Sequence, residues 1–214
     1  MKNREIETKL VTAASFHNVE TILSQMLESP MIIYEGIGTD YLWDVAGSTA
    51  KADVLRLRAN LGQNGEITIK KKDKESNLNR YEVNIEISDE TLGLEILTAL
   101  HGEPTAVLQK RYVVYMDEKR PNLMYSIYNI LGSQLGTIIE IESTNEIDVL
   151  SETTQVMEVF HRLGLHMVRE ERSLYDIVCK GSLDLQTTLT QTALTSKNVV
   201  SINSKRRERY VGKS

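Results

Sequence analysis

The segment Arg4–Leu10 reads REIETKL, and the segment Thr137–Ser143 reads TIIEIES. Each sets two glutamates one residue apart: Glu5 and Glu7, then Glu140 and Glu142. Side chains alternate across a strand, so each carboxylate pair shares one face and the isoleucine between takes the other. Lys9 extends the charged face of the first segment, opposite Ile6, Thr8 and Leu10.

Three further segments repeat this parity. Arg56 and Arg58 oppose Leu55 and Leu57, and Lys70 and Lys72 oppose Ile67 and Ile69. Arg80, Glu82, Asn84 and Glu86 oppose Tyr81, Val83, Ile85 and Ile87. A solvated face of an ordinary antiparallel sheet accounts for alternation alone. It does not account for sorting by strand, with carboxylates on the first and last strands and mostly cations on the middle ones.

Working outward, period-two patterning marks strands at 4–11, 31–35, 40–45, 53–60, 65–72, 79–87, 105–116, 123–130 and 137–143. LGQNGE between two of them reads as a hairpin turn. Helical spacing marks three segments. The first carries Phe16, Val19, Ile22, Leu23 and Met26 behind a Ser15 cap. The second has Leu92, Ile96, Leu97 and Leu100 behind Ser88 or Asp89, and the third has Val156, Val159, Phe160 and Leu163. About eight antiparallel strands with interspersed helices predict an α+β fold, a β-barrel with helices packed outside. The apolar parity supplies the face those helices cover, which leaves the charges to a lumen. Residues 1–182 read as one domain, and residues 183–214 as a polar tail with a basic end, SKRRERYVGKS.

Unpaired charge crowded inside a barrel is costly. It becomes reasonable where a polyanion meets the cations and divalent ions meet the carboxylates; hard oxygen donors suit Mg²⁺ or Mn²⁺. A triphosphate with metal ions fits both. The net charge of −5 over 214 residues gives no global attraction for nucleic acid, so anion binding must be local. Cys179 is the one cysteine, which excludes an internal disulfide. With no run of about 18 apolar residues and no apolar leader after MKNREIE, a cytoplasmic protein without a membrane partner is expected. No Gly-rich P-loop or serine nucleophile motif is present.

These residues resemble the CYTH superfamily, the triphosphate tunnel metalloenzymes. EIETK (5–9) is similar to its ExExK signature, DYLWD (40–44) to its D-x-Y-F-D segment, and LRLR (55–58) to its R-x-R strand. ITIKK (67–71) is similar to T-x-K, RYE (80–82) to R-x-E, and LGTIIEIE (135–142) to LG-x-x-x-E-x-E. LGL (163–165) with RSLYDIV (172–178) resembles the C-terminal helix of the cyclase-like branch. The pattern departs at three places. Gln109 stands where a K-x-R lysine is expected, with Arg111 in register and Lys110 sent outward by strict alternation. Asn84 and Asn129 stand where acids are usual.

The resemblance implies a phosphate clamp of Lys9, Arg56, Arg58, Lys70, Lys72, Arg80 and Arg111. It implies that Glu5, Glu7, Glu82, Glu140 and Glu142 hold Mg²⁺ or Mn²⁺, with Lys9, Arg56, Arg58, Glu140 and Glu142 closest to the chemistry. The implied substrate is ATP, thiamine triphosphate or inorganic triphosphate, and a homodimer is compatible with the pattern. Hydrolysis of the triphosphate is favoured, cyclisation of ATP to cyclic AMP is the alternative, and binding without turnover is the reading from another class.

Overall fold

A computed structural model describes residues 3–45, 54–60, 64–72 and 79–179. The basic tail from 183 onward lies outside the described residues. Among the described residues nine strands form one antiparallel sheet: β1 (Asn3–Thr12), β2 (Pro30–Asp44), β3 (Val54–Asn60), β4 (Gly65–Lys72), β5 (Asn79–Ile87), β6 (Ala106–Asp117), β7 (Arg120–Ile130), β8 (Thr137–Ser143) and β9 (Val168–Glu170). They lie in the order β5-β4-β3-β2-β6-β7-β8-β1-β9. The first residues of β1 also pair with β5, Glu5 opposite Arg80 and Ile6 opposite Asn79. That pairing returns the circuit of eight strands to its start and encloses a lumen. The later part of β1 pairs with β9 instead, Lys9 opposite Glu170.

Helices α1 (Phe16–Met26), α2 (Glu90–His101) and α3 (Glu146–Arg162) pack outside. Leu10, Ile127, Ile139 and Ile141 meet Phe16, Val19 and Leu23 of α1 and Val156 and Phe160 of α3 in one core. Leu97 of α2 meets Trp43, Leu55 and Leu57 in a second. On β1, β3, β7 and β8 the apolar parity therefore faces outward under helices, whereas Ile69 of β4 and Val83 and Ile85 of β5 are exposed. Ser15 caps α1, and Asp89, of the two residues expected, caps α2 by accepting from the backbone N–H of Leu92.

Three local expectations are corrected. Residues 31–35 and 40–45 belong to one long strand, because Gly36 and Gly38 are not turn glycines. A Cβ on Gly36 would lie 2.7 Å from the Tyr34 hydroxyl, and one on Gly38 would lie 3.0 Å from Tyr112 Cε1. Both glycines make room for rings inside the lumen. Helix α3 begins at Glu146, capped by Asn145, and buries Val149 and Val156 while Leu163 is exposed. On α2 only Leu97 of the expected stripe is buried; Leu92, Ile96 and Leu100 are exposed. Strand β9 is too short to show a period. Among the described residues no helix is long and apolar enough to cross a membrane.

Candidate active site in the sheet lumen

Residues directly opposite across an antiparallel pair share a face, so the registers define the lining. Lys9 faces Glu140 and Glu7 faces Glu142 across β1 and β8. Arg58 faces Asp40 across β3 and β2, Arg56 faces Thr68 across β3 and β4, and Lys70 faces Glu82 across β4 and β5. Lys110 faces Gly38, on the same side as Asp40.

The side chains form two linked groups of ions. In the first, Lys9 Nζ contacts Glu7 and lies 3.3 Å from Glu140 Oε1. Lys70 Nζ lies 3.6 Å from Glu7 Oε2 and 2.8 Å from Glu82 Oε2. Arg56 reaches Glu66 at 2.9 Å and Thr68 Oγ1 at 2.8 Å, with Glu82 4.0 Å away. In the second, Arg58 donates through two nitrogens to both oxygens of Asp40, at 2.8 and 3.2 Å, and Lys110 Nζ lies 2.6 Å from Asp40 Oδ2. Glu7, Lys9, Asp40, Glu82 and Lys110 are all buried.

Burial alone would raise the Asp40 carboxyl, but Arg58 and Lys110 beside it hold it well below 3.8. Burial likewise works against Glu140 ionising, and Lys9 overrides it, so this carboxyl also titrates below its usual range. Lys110 is pushed down to about 8 by burial and by Arg58, against the attraction of Asp40. Burial and Glu140, which accepts a hydrogen bond from the hydroxyl at 2.9 Å, raise Tyr128 well above 10.0.

The structure thus brings together Lys9, Arg56, Arg58, Lys70, Glu7, Glu82 and Glu140, and places half-buried Glu142 opposite Glu7. Glu5, Lys72 and Arg80 hold lumen-side register positions, with side chains outside the described ones. Arg111 is corrected: it is exposed, with its guanidinium 4.6 Å above the Phe16 ring on the helix-covered side. Its neighbour Lys110 takes the inward place, because β6 pairs with β2 in the register that sets Lys110 opposite Gly38. The motif match had fixed the parity of that strand from the wrong cation.

Sequence reasoning also missed Glu66, Tyr34, Tyr112 and Tyr128 as lining residues. Parity gave the signal for Glu66, which precedes Thr68 and Lys70 on one face. The tyrosines gave none, since tyrosine suits either face of a strand.

The carboxylates of Glu7 and Glu140 converge on one ammonium, Lys9, and the Arg56 Nε–H is buried with no hydrogen-bond partner among the described residues. Hard oxygen donors of this kind fit Mg²⁺ or Mn²⁺, and an unclaimed guanidinium N–H fits an anion. No three acidic or histidine groups among the described residues converge as a ready-made cation cage.

One end of the lumen is filled. Helix α4 (Leu174–Cys179) sets Tyr175 and Ile177 against Val11, Leu42, Leu108 and Ile138. The other end opens into a cavity of about 610 Å³ lined by Tyr34, Arg58, Asn60, Glu66, Glu86 and Tyr112.

No family model and no curated protein matches the sequence. Solved structures do match the fold. A conserved hypothetical protein from Pyrococcus furiosus superposes with a TM-score of 0.61 at 21% identity, over 81% of this chain and 99% of that one. A proposed adenylyl cyclase from Hippeastrum, whose structure is described as revealing a dominant triphosphatase activity, gives 0.54 at 16% identity over 81% and 94%. A chain of the Schizosaccharomyces pombe Mediator head module gives 0.53 at 13% identity over 78% and 100%. The chain has the charged-lumen tunnel fold that its strand motifs resemble.

Proposed function

We propose that the protein hydrolyses the triphosphate of a small molecule held in the lumen, with the help of Mg²⁺ or Mn²⁺. The observation that carries the reading is the cation set Lys9, Arg56, Arg58, Lys70 and Lys110, contributed by four strands to one enclosed space. The Hippeastrum protein of the same fold, with its described triphosphatase activity, supports hydrolysis over cyclisation. The Mediator chain is a reminder that the fold also occurs in an assembly subunit. The lining, and not the fold, is therefore the argument.

Phosphoryl transfer asks mainly for positioning and for neutralisation of charge on the phosphate oxygens. Arg56 and Arg58 are suited to bidentate contacts, whereas Lys9, Lys70 and Lys110 act as point charges. Asp40 holds the Arg58 guanidinium by two hydrogen bonds, so the fork is oriented before substrate arrives. Glu7, Glu140 and Glu142 would hold the divalent ion. When bound, that ion supplies Lewis-acid polarisation of a phosphate oxygen and lowers the pKa of an attacking water.

The test incubates purified protein with inorganic triphosphate, thiamine triphosphate and ATP in Mg²⁺ or Mn²⁺, and quantifies phosphate, pyrophosphate and cyclic AMP. Phosphate release that disappears in Glu7→Gln and Arg56→Ala is expected. Cyclic AMP with pyrophosphate would move the reading to a cyclase. Binding with no product would move it to a sequestering protein.

A further inference from the structure

Strand β2 outruns one of its neighbours. Strand β6 pairs with it from Pro30 to Leu42, whereas β3 pairs with it only from Gly38 to Asp44. Among the described residues, the backbone groups of Met31–Ile37 that face away from β6 therefore have no strand partner. An open strand edge is a template for a further strand. Its guards are Pro30 and a bulge between Ile32 and Tyr34. Its side chains are mostly apolar: Met31, Ile32, Ile33 and Ile37 are exposed, and Glu35 is the one charged residue between them.

Charge around the edge narrows the choice of strand. Exposed Glu28 and Glu118 flank its start, where Ser29 donates to Glu118, and exposed Glu86 borders the cavity that Tyr34 lines. The exposed bases nearby are Lys119 and Arg111. Two such edges paired antiparallel would lay the acidic start of one copy along the acidic mouth of the other, which works against a second copy.

The chain itself carries a segment of the complementary kind. Residues 198–209 read NVVSINSKRRER, with β-branched Val199, Val200 and Ile202 ahead of a basic run. The path is short enough. Tyr175 and Ile177 of α4 share a core with Leu42 of β2, and Met31 lies about 35 Å from Leu42 along that strand. Residues 180–198 reach about 60 Å when extended.

We propose that the free edge of β2 docks the chain's own C-terminal segment, Val199–Ile202 adding as a strand beside Met31–Ile37. The basic run Lys205–Arg209 then lies against the carboxylates around the edge. Tyr34 belongs to this edge and stacks on Tyr112 with ring centroids 4.6 Å apart, so the docked segment borders the entrance to the lumen. The surface lies outside the lumen and does not depend on the substrate held there.

The experiment follows amide hydrogen exchange at Met31–Ile37 in the full-length chain, at two protein concentrations and two salt concentrations. Wild type is compared with Val200→Asp/Ile202→Asp and with Lys205→Glu/Arg206→Glu. Edge amides are expected to be protected in wild type at both protein concentrations, and to exchange about tenfold faster or more in Val200→Asp/Ile202→Asp. Added salt and Lys205→Glu/Arg206→Glu should each weaken the protection. Equal exchange in wild type and Val200→Asp/Ile202→Asp overturns the proposal. Protection that rises with protein concentration and survives in that variant assigns the edge to a second copy, and fast exchange in every sample leaves it to a foreign strand; both also overturn it. Thermal melts check that the sheet is intact in each variant, and Lys205→Glu/Arg206→Glu keeps the test decisive if Val200→Asp/Ile202→Asp unfolds.

Discussion

The two ends of the lumen are built from the same strands and have opposite characters. At one end Val11, Leu42, Leu108 and Ile138 close onto Tyr175 and Ile177 of α4, and the space is filled by apolar side chains. At the other, Tyr34, Asn60, Glu86 and Arg58 border an open cavity. Apolar side chains packed into a barrel end expel water and hold α4 in place. Polar groups at the opposite end can stay hydrated until a ligand arrives. Among the described residues the tunnel is in effect a pouch, with charge in the middle and an opening at the Tyr34 end.

The middle of the pouch sets the largest expected effects. Asp40→Ala removes the shared partner of Arg58 and Lys110 and leaves half-buried Arg58 and buried Lys110 facing each other. About 3–5 kcal/mol of stability should be lost, read by denaturant unfolding. Asp40 titrates below its ordinary 3.8, so its contribution is present above that pH and is lost as the pH falls through the lowered value. Arg56→Ala should instead cost activity, about 10²–10³-fold in kcat/KM, the scale of removing one preorganised donor. Little change in phosphate release with Arg56→Ala would break the assignment of the lumen as the reaction site.

The closed end should affect stability and not turnover. Ile177→Val is expected to cost about 1 kcal/mol with KM unchanged; a shift in KM would mean that substrate reaches α4.

Lys110 predicts a pH signature. It is charged below about 8, so triphosphate affinity should weaken from pH 7 to pH 9. Binding at pH 8 should take up about half a proton, visible as a dependence of the calorimetric heat on buffer ionisation. Between about 8 and 10.5 the unfolded chain holds this proton more tightly, so the group's contribution to fold stability rises across that window. The smallest effect is expected outside the lumen: Arg111→Ala should change stability by about 0.5 kcal/mol or less and leave phosphate release unaltered, in contrast to Lys110→Ala.

Adjacent residues 110 and 111 show how far the sequence could be read. Strand parity placed Glu7, Lys9, Arg56, Arg58, Lys70 and Glu140 on lumen faces, because each of them sits next to an isoleucine or leucine of the opposite parity. On β6 both faces carry large apolar residues: Val113 and Tyr115 pack outward against α1 and α3, while Tyr112 packs inward. Period two is then visible without its phase. Gly36 and Gly38 failed differently, since a glycine that ends a strand and one that admits a neighbouring ring look alike in sequence.

The sequence by itself determined that charged faces are sorted by strand, that isoleucine and leucine faces await helices, and hence that charge lines an interior. Alternation is a local property of the extended backbone, and it is written residue by residue. Tertiary structure alone decided which cation of the Lys110–Arg111 pair enters the lumen, that Asp40 binds two cations at once, and that one end is plugged while the other presents two stacked tyrosines. Each of these depends on which strands meet and in what register. Register is fixed by the fit of all the strands around the closed circuit, not by any one of them.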